Sequence, residues 1–124
     1  IKSLFTDLPQ NKSFEDKFLL GIYKSNDLIG IIDIIRNYPT ISEWTIGLLL
    51  LEPKERGRGL GTAIHEALAK WAKSFGAKRF RIGVIDYNDR AFKFWLNLGY
   101  VKEKEINVDI VSKNQLVNVM VKEL

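Results

Sequence analysis

The chain has no cysteine, one histidine and one methionine. Without a thiol, disulfide staples and cysteine nucleophiles are both excluded. One imidazole and no thiolate cannot furnish a structural zinc site, so no metal is expected. No apolar run is long enough to span a bilayer. No charged-then-apolar leader with a cleavage site opens the chain. These absences set the expectation of a cytoplasmic protein with no membrane partner. A block of lysine and arginine is also missing. The net charge of +4 is dispersed, so a nucleic-acid partner is not indicated. No repeat, linker or low-complexity segment divides the sequence, and a single domain over residues 1–124 is expected.

What is present is ordinary globular composition, 46% hydrophobic and 27% charged. A chain of 124 residues can bury a core unaided. "KFLLGIY" (17–23) and "LIGIIDII" (28–35) read as strands around the turn "KSND", an antiparallel hairpin. "RNYPT" breaks the second strand at Pro39. "EWTIGLLLL" (43–51) is a third strand, apolar on both faces in its second half and so expected to be central and covered. A helix follows from about Leu60 to Phe75, with Ile64, Leu68, Trp71 and Phe75 as its apolar stripe. His65 is read as lying on its polar side, with no catalytic role. "KRFRIGVI" (78–85) alternates as a strand, and "RAFKFWLNL" is a helix capped by Asn88 or Asp89 and ended by Gly99. "INVDIV" and "LVNVMV" flank "SKNQ" as a closing hairpin. The unit from 43 to 85 is expected to be a right-handed parallel crossover. The fold class is α/β with a mixed sheet.

Between the third strand and its helix lies "EPKERGRGLGTA". Gly57, Gly59 and Gly61 alternate with Arg56, Arg58 and Leu60 and run into Thr62. A helix N-terminus bears unpaired N–H groups and the positive end of the helix dipole. Glycines before it let the backbone wrap an anion, which points to phosphate. The dinucleotide fingerprint does not fit, because Thr62 or Ile64 stands where a third spaced glycine is needed. Neither does a Walker loop, which requires Gly-Lys-Ser/Thr.

What does fit is Arg-x-x-Gly-x-Gly at Arg56, Gly59 and Gly61, after an apolar strand and opening a helix. A second pattern follows, with Asn88, Ala91, Phe94, Trp95, Gly99 and Tyr100 in "NDRAFKFWLNLGY". Together, and in this order, the two resemble the GNAT superfamily of acyl-coenzyme-A-dependent N-acetyltransferases. The resemblance covers roughly residues 17–124 and leaves the family's first strand and helices incomplete.

The resemblance implies a central mixed sheet with a splayed parallel pair, flanked by helices. It implies acetyl-CoA as cosubstrate and a small-molecule or peptide amine as acceptor, joined by direct attack in a ternary complex. A homodimer is left open. Leu49 and Leu51 are the implied backbone partners of the pantetheine arm. The N–H groups from Arg56 through Gly57, Arg58, Gly59, Leu60 and Gly61 to Thr62 would receive the pyrophosphate. Asn88 would bond the pantetheine region, or serve only as a helix cap. The position that often holds a tyrosine acid is Trp95, read as a pocket wall because indole cannot protonate a thiolate. Tyr87 and Tyr100 are weak substitutes. Glu43 and Asp33 are the candidate catalytic carboxylates, as base or as amine anchor. The competing reading is a GNAT-like domain that holds acyl-CoA without turnover.

Overall fold

The computed structural model describes residues 16–57 and 59–124. Its strands are β1 (Lys17–Lys24), β2 (Asp27–Ile35), β3 (Glu43–Leu51), β4 (Arg79–Ile85), β5 (Val101–Ile110) and β6 (Lys113–Glu123). Helix α1 (Leu60–Ser74) connects β3 to β4, and α2 (Asp89–Asn97) connects β4 to β5. The six strands form one sheet in the order β1-β2-β3-β4-β6-β5. The pair β3–β4 is parallel, and every other neighbouring pair is antiparallel. The element order is the expected one. The closing hairpin is longer than its two alternating runs, because β5 stays paired with β6 back to Val101, across a register shift between Lys102 and Lys104.

One core joins the helices to a single face of the sheet. Ile32, Ile34, Trp44, Ile46, Phe80, Ile82 and Met120 contribute from strands, Leu68 and Ala72 from α1, and Trp95 from α2. Alternation explains β4: Phe80, Ile82 and Val84 are buried, while Arg79, Arg81 and Gly83 point the other way. Phe18 of β1 and Trp44 of β3 stack on each other and meet Trp71 of α1 edge-on, with ring centroids 5.1 to 6.1 Å apart.

Two expectations need correction. His65 is buried with Leu68 and Ala72, so the buried face of α1 is rotated towards it, and Phe75 lies exposed beyond the helix end. The imidazole tolerates this because its Nε2 shares a hydrogen bond with the Tyr100 hydroxyl at 2.7 Å. Likewise β3 is central, but its apolar second half is only partly covered, and Leu50 is 45% exposed. The cause is that β3 loses its parallel neighbour there.

Candidate active site

The β3–β4 ladder has four couples, from Glu43–Arg79 to Ile46–Ile82. Beyond Ile46 each strand keeps its other partner. β3 stays on β2 as far as Leu51, and β4 stays on β6 as far as Ile85. The seam between the two strands therefore opens inside the sheet. β3 also carries an extra residue here: Asp33 faces Leu48 and Ile34 faces Ile46, so Gly47 is bulged out.

The opened end of β3 leads into the glycine loop. A short 3-10 turn at Pro53–Glu55 ends the strand. Gly57 and Gly59 have φ of 78° and 77°, a region that costs an L side chain about 1–2 kcal/mol. Gly59 caps α1 without any side-chain hydrogen bond. The N–H groups of Gly57, Gly59, Gly61 and Thr62 accordingly find no acceptor among the described residues. The N–H of Arg56 differs, since it donates to Pro53 O at 3.2 Å. The Arg56 side chain folds back, with Nε donating to Leu51 O at 3.1 Å. Arg58 lies outside the described residues.

Helix α2 supplies the opposite bank. Its cap Asn88 accepts the Ala91 N–H on Oδ1 at 3.1 Å. Gly61 of α1 faces Phe94 so closely that a Cβ there would lie 3.1 Å from the ring. Between the two helices and the open seam is a cleft of about 620 Å³. Leu49, Leu51, Arg56, Gly57, Gly59, Gly61 and Thr62 line one side, and Asn88, Arg90, Ala91, Lys93, Phe94 and Trp95 the other. Asn97, which belongs to neither sequence pattern, also lines the cleft. Leu60, by contrast, is not part of the lining. The size suits an extended organic ligand. The cationic rim of Arg56, Arg90 and Lys93 suits an anionic one.

Trp95 is both cleft wall and core: it lines the cleft and is only 5% exposed. Its indole packs on Phe94, Tyr100 and His65 at centroid distances of 5.0 to 5.9 Å. Tyr100 makes a poor acid. Burial pushes its pKa well above the ordinary tyrosine value, and its hydroxyl is engaged with His65. Tyr87 is exposed and outside the lining.

The two carboxylates lie in different settings. Glu43 is at the paired end of the seam, roughly 10 Å of strand before Ile46. It is buried, Oε1 accepts from Thr40 Oγ1 at 3.2 Å, and Oε2 accepts from Arg81 Nε at 2.8 Å. Arg81 is shared with Glu103 at 2.9 Å. Asp33 lies at the opening itself. A Cβ on Gly47 would come within 3.6 Å of its carboxyl carbon. Among the described residues no group of three or more histidine, cysteine or acidic side chains is placed to hold a metal. No helix there is long and apolar enough to cross a membrane.

Comparison with known proteins agrees with this architecture. Residues 2–100 match the model of the acetyltransferase (GNAT) family. The uncharacterized N-acetyltransferase YobR of Bacillus subtilis is 27% identical over 99 residues, covering 80% of this chain and 37% of that protein. The thialysine N-epsilon-acetyltransferase of Mus musculus is 36% identical over 67 residues, covering 50% of this chain and 39% of the relative. The aligned region thus spans about two fifths of these relatives' length. A Bacillus subtilis acetyltransferase solved in complex with CoA superposes with a TM-score of 0.72 at 12% identity, covering 89% of this chain and 78% of that one. The parallel strands that part at Ile46 and Ile82, the glycine loop and the family match lead to one conclusion: the chain belongs to the GNAT family of acetyltransferases.

Proposed function

We propose that the protein is an N-acetyltransferase that moves an acetyl group from acetyl-CoA to a primary amine by direct attack in a ternary complex, in the cytoplasm. The observation that carries this reading is the β3–β4 seam, which opens onto a cleft rimmed by loop amides that have no acceptor among the described residues. In this reading the N–H groups of Gly57, Gly59, Leu60, Gly61 and Thr62 receive the pyrophosphate. Arg56, whose own N–H is used within the chain, contributes charge. The exposed edges of Leu49 and Leu51 pair with the pantetheine amides, strand fashion. Asn88 borders the pantetheine region while capping α2. Arg90 and Lys93 meet the remaining phosphate charge. Trp95 closes the thioester end as an apolar wall.

The chain's residues fit such a donor. Main-chain donors stand where the anion would lie, and main-chain strand edges stand where the amide arm would lie. The thioester supplies the acyl group. The chain orients it, keeps water off it with Trp95 and Phe94, and offers main-chain N–H groups at the seam to an oxyanion. A thiolate leaves without a strong acid near neutral pH, since thiols ionise near ~8.5. Trp95 in place of a tyrosine is therefore compatible with turnover. An amine acceptor is in keeping with the acetylated Nε in the name of the Mus musculus relative.

The test is calorimetric titration with acetyl-CoA, followed by thiol release with a panel of primary amines. Saturable binding and amine-dependent release are expected. Binding without release by any amine would favour a non-catalytic acyl-CoA holder, and failure to bind would reject the reading.

A further inference from the structure

Behind the cleft wall lies a second hollow. It measures about 290 Å³ and shares no lining residue with the cleft. A face of α1 forms its long side, with His65, Ala69 and Lys73 one turn apart and Glu66 and Lys70 beside them. Leu98, past the end of α2, and Lys122 of β6 form the other side. Trp95 lines the cleft and His65 lines the hollow, and their rings pack 5.9 Å apart.

The imidazole is the fixed polar group of this hollow. His65 is 2% exposed, and its Nε2 meets the Tyr100 hydroxyl at 2.7 Å. That hydroxyl has no other partner among the described residues. Its hydrogen therefore goes to the imidazole, so Tyr100 donates and Nε2 accepts. A neutral imidazole carries its one proton on the other nitrogen, which puts the N–H on Nδ1. Burial, then the positive charge of Lys122, keeps the ring neutral near pH 7. Nδ1 makes no hydrogen bond among the described residues. Unlike Trp44 Nε1, it is not sealed from solvent. A held N–H thus faces the hollow without an acceptor.

The charges around it are mainly positive. Lys70 and Lys73 are exposed and form no ion pair among the described residues. Lys122 Nζ donates to Leu98 O at 2.6 Å and keeps its other hydrogens for a ligand. Gly99 makes room for it, since a Cβ there would lie 2.5 Å from Nζ. Glu66 is the one acid of the lining, and it is exposed. Tyr100 stays protonated, because burial raises its pKa. Three ammonium groups against one carboxylate leave the hollow cationic. Between these charges the wall is apolar, made of Ala69, Leu98 and the lysine stems.

We infer that the hollow is a second ligand site, which takes a small monocarboxylate with a short apolar tail. One carboxylate oxygen accepts the Nδ1–H of His65, and the other meets the lysine ammonium groups. The tail lies on Ala69 and Leu98. The size admits a ligand of few atoms, far smaller than coenzyme A. A phosphate suits the site poorly. It is more highly charged and hydrated, and it would find one rigid donor and an apolar wall. A carboxylate gives up less water and sets its carbon chain against that wall. The site stands apart from the acetyl-transfer reading and does not depend on it.

The experiment follows the single imidazole by nitrogen NMR in the full chain, at neutral pH and fixed ionic strength. Nδ1 should resonate as the protonated nitrogen and Nε2 as the bare one. Sodium butyrate should shift Nδ1 and the Ala69 methyl saturably and leave the Ala91 methyl, in the cleft, unmoved. Acetate should bind more weakly, having less apolar surface to bury, and neutral butyramide should not bind. The double variant Lys70→Gln, Lys73→Gln changes only exposed positions and should weaken butyrate by about threefold or more. Ala69→Leu should block it by filling the space. A ring protonated on Nε2 overturns the inference, and so does butyrate that moves no resonance beyond what chloride moves. Phosphate binding as tightly as butyrate overturns the carboxylate assignment. A butyrate shift at Ala91 without one at Ala69 puts the anion in the cleft and overturns the second site. Acetyl-CoA takes no part, so this inference and the transferase reading fail independently.

Discussion

His65 Nε2 and the Tyr100 hydroxyl meet at 2.7 Å, buried, across 35 residues of sequence. The pair joins α1 to the end of the α2 segment, directly behind the cleft wall Trp95. Burial, then the positive charge of Lys122, lowers the His65 pKa to about 4. The unfolded chain, with an ordinary imidazole near 6.5, binds this proton more readily. Stability from the neutral pair is therefore complete above about pH 6.5 and is lost as pH falls towards 4. The loss amounts to about 3 kcal/mol at most. Urea midpoints of wild type and His65→Gln, measured from pH 7.5 to 4.5, should converge as the solution is acidified. A constant gap between them would contradict the assignment.

Lys122 reaches the same region from β6. Its Nζ donates to Leu98 O at 2.6 Å, closing the C-terminal turn of α2. Removing the charge has two consequences of known sign. The His65 pKa should rise in Lys122→Met, though not to its ordinary value, because burial is the larger cause. The α2 turn should lose about 1 kcal/mol with its charged donor. The single histidine makes the first effect readable as one imidazole titration by NMR, and an unchanged or lowered value would refute it.

Much of the fold could be read in the residues, for identifiable reasons. Period two in "KRFRIGVI" and period 3.6 in α1 are local signals, as are the stops at Pro53 and Gly76. The parting of β3 from β4 is not local. It depends on which partner each strand keeps after Ile46 and Ile82, and on a bulge at Gly47 that no alternation pattern reveals. His65 falls off the Ile64, Leu68, Trp71 and Phe75 stripe in sequence, whereas its burial turns on a distant tyrosine. Asp33 stood out as a carboxylate inside an apolar run. Its approach to Gly47 needed the β2–β3 register.

Gly59→Ala isolates the loop conformation from sterics. A Cβ there has nothing within 4 Å, yet φ is 77°. The strain should cost about 1 kcal/mol in the folded protein if the loop holds. If the loop relaxes instead, stability is spared and the amides turn away. Acetyl-CoA affinity should then fall at least tenfold while the urea midpoint barely moves. Calorimetry and urea denaturation on the same sample separate the two outcomes. A variant with both wild-type affinity and wild-type stability would mean that the left-handed turn has no part in binding.

Glu43 and Arg81 provide the last contrast, because a buried ion pair and a base respond differently to the same change. Arg81 holds Glu43 at 2.8 Å and Glu103 at 2.9 Å, and it is 16% exposed. Arg81→Met would leave the buried Glu43 carboxylate with only Thr40 and the longer contact to Arg79 at 3.9 Å, a loss of up to about 3–5 kcal/mol. Glu43→Gln keeps the shape and a hydrogen-bonding oxygen, so it should cost less. Neither group lines the cleft, so kcat in Glu43→Gln should stay within about threefold of wild type at temperatures where the variant is folded. Thermal unfolding and initial rates on both variants test this together. A Glu43→Gln protein of normal stability that had lost 100-fold in kcat would give Glu43 the proton-accepting role, because a loss of that size without unfolding is the mark of chemistry rather than support.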